Sequence, residues 1–251
     1  MGYSLLSRVA CLAMTAVCGA VLPVRAEMPP ATPAAAAHAA PAYRDAAPSV
    51  DGVGKFYQGR EIAHVMGFEG AVWLERPTRQ QEERPDIMVR ELSLMPGMTV
   101  ADIGAGSGYL SRRVAQQVAP GKVYAVDVQP EMLGLLRDLA RQPGLDNIVP
   151  TQGTVTDVNL PPNSIDVAVL VDVYHELEYP YEVIQSLVHA LKPGGRLVFV
   201  EFRLEDPGVP IKTLHRMSVA QVRREMQPLP LDWDHTSERL PLQHLIVFRR
   251  R

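Results

Sequence analysis

The chain has 251 residues, 47% hydrophobic and 21% charged, which suits one full globular core and excludes a wholly disordered protein. A formal net charge of −3 provides no overall attraction to nucleic acid or to an anionic membrane. Both cysteines, Cys11 and Cys18, lie at the extreme N-terminus, so the rest of the chain has no thiol for a disulfide, a nucleophile, a cysteine zinc site or an iron–sulfur cluster.

The first element in chain order is a targeting segment. Arg8 precedes an apolar run from Val9 to Leu22, shorter than the ~20 residues needed to span a bilayer. Val24-Arg25-Ala26 then places small residues at the −3 and −1 positions of a cleavage site. Residues 1–26 are expected to be a signal peptide, giving a periplasmic or secreted protein whose mature chain has no transmembrane helix; the alternative is an uncleaved anchor. Residues 27–50 are Pro- and Ala-rich, with too little apolar surface to offset their ordering entropy, and read as a disordered tether.

Residues 51–94 form a mixed lead-in, with short helices expected around Arg60–Met66 and Pro77–Leu94. Within it, Trp73, Glu75, Arg76 and Arg79 suit either a lid over a ligand or a helix packed on a sheet edge with Trp73 as its anchor. Residues 95–251 form the main domain. There, apolar runs such as MTVADIG, KVYAVDV, IDVAVLVDV and RLVFVEF alternate with amphipathic stretches of helical period. Continuous apolar strands are buried on both faces, so the pattern predicts a doubly wound α/β fold around a mostly parallel sheet. Pro130 and Pro180 stand where a first helical residue belongs, and Pro193-Gly194-Gly195 stops a helix before the next strand. After the fifth strand come a long excursion, a helix capped by Ser218, and two strands near Leu231–Thr236 and His244–Arg249. Their tight connection suits an antiparallel hairpin at the sheet edge.

The first strand of this domain runs into VADIGAGSG, which puts Gly104, Gly106 and Gly108 in a strand-to-helix turn where a ligand can approach the backbone. A dinucleotide fingerprint wants its third glycine one residue later, where this chain has Tyr109. Asp102, two residues before the first glycine, repels a pyrophosphate and attracts a cationic amino acid. Asp127, at the end of the second strand, is placed to accept both ribose hydroxyls of a nucleoside.

With these pieces in order, the chain resembles the class I S-adenosylmethionine-dependent methyltransferases, through VADIGAGSG, VYAVDVQPEML, QGTVTDVNLPPNSIDVAVLVDVYHEL and LKPGGRLVFVEF. The domain is similar to the methyltransferase type 11 kind. MGFEGAVWLERP and DVYHE look like a group of exported bacterial proteins that carry it. The resemblance implies a Rossmann-like sheet of seven strands with the last strand antiparallel, and S-adenosylmethionine as cofactor. It also implies that Asp102 and the loop Gly104, Ala105, Gly106, Gly108 seat the methionine moiety and that Asp127 holds the ribose. Val128, Gln129 and Met132 would flank the adenosine, and Thr154 and Val155 would line the adenine. Many relatives carry an acid near Val155; here the nearby acid is Asp157.

The fourth strand ends in Asp172-Val173-Tyr174-His175-Glu176, on the sheet edge where ligands of open α/β folds bind. His175 suits a general base at neutral pH, and Tyr174 or Asp172 suits orientation of an acceptor or of the sulfonium. All three equally suit a strand-to-helix loop without chemistry. Glu201 is expected either to line the pocket or to pair with Arg203, and the excursion containing His215 is a place for acceptor selectivity. No close-spaced metal ligands are recognisable, so no metal is expected. The short runs Arg223-Arg224 and Arg249–Arg251 read as solvated charge, with no nucleic-acid partner. The expected activity is methyl transfer to a small-molecule or envelope acceptor; the alternatives are an inactive binding module of the same fold and, far behind, a nicotinamide oxidoreductase.

Overall fold

A computed structural model describes residues 42–251, so the targeting segment and most of the stretch read as a tether lie outside the described residues. The lead-in departs from expectation at its start. Tyr43–Asp45 (β1), Gly52–Tyr57 (β2) and Arg60–Ala63 (β3) form a three-stranded antiparallel sheet, where a tether and then a helix around Arg60–Met66 were expected. The cause is the turn between β2 and β3. Tyr57 pairs with Arg60, and the two residues between them, Gln58 and Gly59, both have positive φ, the conformation of a tight two-residue hairpin. Glu61 then pins the start of β2 by accepting the backbone N–H groups of Ser49 and Gly54 at 3.0 Å. The lead-in becomes helical in Ala71–Leu74 (α1), Arg79–Glu83 (α2) and Pro85–Glu91 (α3).

The main domain follows the predicted alternation. Val100–Ile103 (β4), Ser111–Val118 (α4), Val123–Asp127 (β5), Pro130–Ala140 (α5), Ile148–Gln152 (β6), Ile165–Val171 (β7), Pro180–Ala190 (α6) and Leu191–Phe202 (β8) come in order. Val219–Met226 (α7), capped by Ser218, leads to Leu231–Ser237 (β9) and Gln243–Arg250 (β10). The strands lie in the order β6-β5-β4-β7-β8-β10-β9. All pairings through β8 are parallel, and β10, the last strand of the chain, is antiparallel to both neighbours. β10 inserts between β8 and β9, so the terminal hairpin leaves β9 at the edge.

The continuous apolar runs are explained by the two cores. In β7, Ala168 and Leu170 pack on one face with Phe199 and Tyr174, while Val167 and Val169 pack on the other with Val198 and Val200. Successive residues alternate faces and both faces are covered, so the run Val167–Leu170 is apolar throughout. The polar side chains collect instead at the C-terminal ends of β4, β5, β7 and β8. No helix among the described residues is long and apolar enough to cross a membrane.

Candidate active site

The glycine turn after β4 is built as the spacing predicts. Gly104 and Gly106 have φ of 66° and 54°, and a Cβ on either would collide, with Val173 in one case and Leu74 in the other. Ala105 N–H donates to the Val126 carbonyl at 3.0 Å, which ties the loop to β5, and Gly108 N–H donates back to Ala105. Asp127 closes the arrangement: its carboxylate accepts Gly106 N–H at 2.9 Å and Gln129 N–H at 3.0 Å. Burial pushes the Asp127 carboxyl above its usual range, against the pull of these backbone donors. Beside them, Gly104 and Thr154 are exposed, and Val128 and Val155 remain 42% and 49% exposed, two apolar side chains uncovered on adjacent strand ends. Met132 is buried on α5.

The Thr154 hydroxyl caps its own turn by accepting Asp157 N–H at 2.9 Å. Asp157, the acid nearest Val155, is held away by Ser186, which donates to it at 2.7 Å. The region beside Val155 is therefore apolar, with its acid committed elsewhere.

Asp102 is buried at the end of β4 and accepts the Ser111 hydroxyl at 2.6 Å. Burial raises its pKa to about 6, opposed by the Ser111 bond and the Arg79 charge. The folded protein therefore keeps a proton that the unfolded chain releases between about pH 4 and 6. Stability is lost as pH rises through that window, by about 3 kcal/mol at most, and is not regained above it. Asp102→Asn is expected to flatten this slope and to raise stability at pH 7 while weakening any cationic ligand. Urea unfolding of both proteins at pH 4 and pH 7 measures it; equal slopes would contradict the assignment.

At the ends of β7 and β8 the sequence candidates separate. His175 is buried, and its Nδ1 lies 2.5 Å from Glu201 Oε2; Glu201, fully buried, also accepts Tyr174 N–H at 2.8 Å. Glu201 thus neither lines an open pocket nor pairs with Arg203, which binds Glu238 instead. It is the group that orients His175. Tyr174 corrects a second expectation. It points into the core, stacks edge-on against Phe199 and donates its hydroxyl to Glu225 at 2.6 Å, so it has no free group to orient an acceptor. The reason is the single helical turn Tyr174–Glu176, which sends neighbouring side chains in opposite directions.

Asp172 has a left-handed backbone (φ 54°) and accepts Gln243 Nε2–H at 2.7 Å, with Oδ1 buried and unpartnered among the described residues. Burial, followed by the charges of Glu83 and Glu201, holds its carboxyl well above the usual range. The excursion after β8, expected as a place for acceptor selectivity, supplies a contact to His175 that the sequence did not reveal. Met217 N–H donates to Phe202 and Leu204 N–H to Met217, so the excursion folds back and puts His215 Nδ1 3.2 Å from His175 Nε2. No one-dimensional spacing announces this contact.

The lead-in crosses the same sheet edge. Met66 N–H donates to Glu176 Oε2 at 3.2 Å, and Met66 O accepts Gln129 Nε2–H at 3.0 Å. Further on, Leu74 rests over Gly106, and Glu75 accepts the Ser107 hydroxyl at 2.5 Å and pairs with Arg112. Trp73 is 44% exposed with Arg76 over its ring, so Leu74 makes the inward contact that was expected of Trp73. Arg76 and Arg79 are bound to the buried Glu83 at 2.6 and 2.8 Å.

Residues 101–199 match the family described as "Methyltransferase domain". The ubiquinone/menaquinone biosynthesis C-methyltransferase UbiE of Ectopseudomonas mendocina is 34% identical over 124 residues, 48% of either chain. The chain thus spans about half the length of the curated relatives it matches. Among solved structures, a SAM-dependent methyltransferase from Aquifex aeolicus is similar at 23% identity with a TM-score of 0.70, over 74% of this chain and all of that one. The [4+2]-cyclase SpnF is similar at 18% identity with a TM-score of 0.57, over 66% of this chain and 80% of that one. Residues 101–199 therefore match a methyltransferase domain, and the fold around them is similar to that of a solved SAM-dependent methyltransferase.

Proposed function

We propose that the protein transfers a methyl group from S-adenosylmethionine to a small-molecule acceptor held at the ends of β7 and β8. One observation carries the reading: the Asp127 carboxylate sits at the end of β5, bonded to a glycine loop whose backbone only glycine adopts easily. The residues present fit the cofactor. Asp127 keeps lone pairs for two ribose hydroxyls, since each of its oxygens uses one on a backbone donor. Val128 and Val155 offer an uncovered apolar surface for a purine, and buried Asp102 suits an ammonium group.

The bound cofactor supplies a methyl group already activated as a sulfonium, which leaves the chain to position the acceptor, ionise it and exclude water. Glu201 holds the proton on His175 Nδ1, so Nε2 presents its lone pair toward Glu176 and His215. Those three groups are assigned to the acceptor. The lead-in, bonded to both Gln129 and Glu176, excludes water and has to shift for ligands to enter.

Calorimetric titration with S-adenosylmethionine and S-adenosylhomocysteine, followed by transfer of a labelled methyl group to extracted small molecules, tests the proposal. Micromolar binding is expected, with slowed hydrogen exchange across residues 64–75 in the complex. A folded protein that binds neither compound would refute it. Binding without transfer to any acceptor would favour a second reading, a cofactor-binding protein without turnover, to which the contact of Leu74 on Gly106 lends support. The pattern of residues 1–26 supports the further proposal that the protein acts outside the cytoplasm.

A further inference from the structure

We infer that His175, Glu176 and His215 form a binding site for a divalent first-row transition-metal ion, although no metal was expected from the sequence. The ligand atoms are His175 Nε2, His215 Nδ1 and Glu176 Oε1. Their separations are 3.2 Å between the two nitrogens, 3.4 Å from His215 to Glu176 and 3.8 Å from His175 to Glu176. A triangle with these sides has its centre about 2.0 Å from every corner, the bond length of zinc to imidazole nitrogen and carboxylate oxygen. Two imidazoles and one carboxylate form a donor set suited to Zn²⁺, Fe²⁺ or Co²⁺; Mg²⁺ and Ca²⁺ favour all-oxygen ligands.

The supporting contacts are those of a metal site. A His–metal bond is steadied when the opposite ring nitrogen is held, and Glu201 holds that of His175 from a fully buried position. Glu176 is held through its other oxygen by Met66 N–H, which leaves Oε1 facing the two histidines. The rings of His175 and His215 meet edge to face, with centroids 5.0 Å apart and an angle of 75°. Without an ion, the two facing nitrogens need a proton between them; an ion satisfies both lone pairs and the carboxylate together.

Three protein ligands leave an open coordination position, as in catalytic and substrate-binding sites. His215 is 21% exposed, so that position is reached from the solvent side. This deepens the proposed function and rests on it for one step only, the identity of the acceptor. The ion would take an ionisable oxygen of the acceptor, with the O–H bond breaking and its proton passing to solvent. The acceptor class is therefore an oxygen ligand such as a phenol, an enol or a pair of adjacent hydroxyl and carbonyl groups.

The test is titration of the full chain, stripped with a chelator, with Co²⁺ alone, followed by visible absorption and calorimetry. One Co²⁺ per chain is expected, with the absorption bands of a four- or five-coordinate nitrogen–oxygen site. His215→Ala and Glu176→Gln are each expected to weaken binding at least about tenfold. His244→Ala is expected to leave it unchanged, because His244 lies between Glu205 and Glu238 at a separate place. Folded wild-type protein that binds no Co²⁺ would overturn the inference, as would binding that survives both ligand variants. Titration of the same preparation with S-adenosylmethionine separates the two claims. Cofactor binding without Co²⁺ binding removes the metal site and keeps the methyltransferase reading; the reverse keeps the metal site and removes the acceptor assignment.

Discussion

Asp127→Ala is expected to weaken S-adenosylmethionine binding by about 100-fold or more. The carboxylate faces the cofactor loop from the end of β5 with lone pairs left for two hydroxyl donors. Hydrogen bonds to a charged group contribute about 1.5–3 kcal/mol each, and every 1.4 kcal/mol is tenfold in affinity. The substitution also strips Gly106 and Gln129 of the acceptor for their N–H groups, which loosens the loop. Asp127→Asn separates the two effects, because its amide oxygen still serves one backbone donor. Calorimetry on both variants, with far-ultraviolet circular dichroism to confirm folding, checks the expectation. Unchanged affinity in folded Asp127→Ala would place the cofactor elsewhere and withdraw the proposed function.

Glu225→Ala is expected to cost about 3–5 kcal/mol of stability, the largest loss foreseen for a single surface-distant substitution. Glu225 on α7 is fully buried and binds Arg60 of β3 through both oxygens, at 2.7 and 3.1 Å, while accepting the Tyr174 hydroxyl. Arg60 also donates to the carbonyl of His175 at 3.1 Å. Removing the carboxylate leaves a largely buried guanidinium without its counter-charge and a phenol without its acceptor. Urea denaturation measures the loss. The paired replacement Arg60→Met with Glu225→Leu is expected to recover most of it, because buried charge pairs give little net stabilisation over apolar packing. A loss under 1 kcal/mol in Glu225→Ala would mean that solvent reaches the pair. The network joins the lead-in sheet, α7 and the turn carrying His175, so its loss should also lower occupancy of the acceptor site.

The alternation of strands and helices, the glycine turn and Asp127 were all legible in the sequence because each is a local signal. A strand buried on both faces must be apolar throughout, as Val167–Leu170 are, and a helix opening at Pro130 or Pro180 shows its first residue directly. The hairpin at Gln58-Gly59 was legible in principle. The glycine marks the turn, but the residues around it show no strong strand pattern, and pairing with β2 is what makes Arg60–Ala63 a strand.

The acceptor side was decided by tertiary structure. Glu201 and His215 stand 26 and 40 residues from His175, and only the adjacency of β7 and β8, with the returning excursion, brings them to one imidazole. The inward turns of Tyr174 and of Leu74 were likewise settled by which neighbour had space to fill. Chain-local chemistry determines where a strand ends and which residues stand there. What each of those side chains touches depends on elements distant in sequence, and so on the order in which the sheet is assembled.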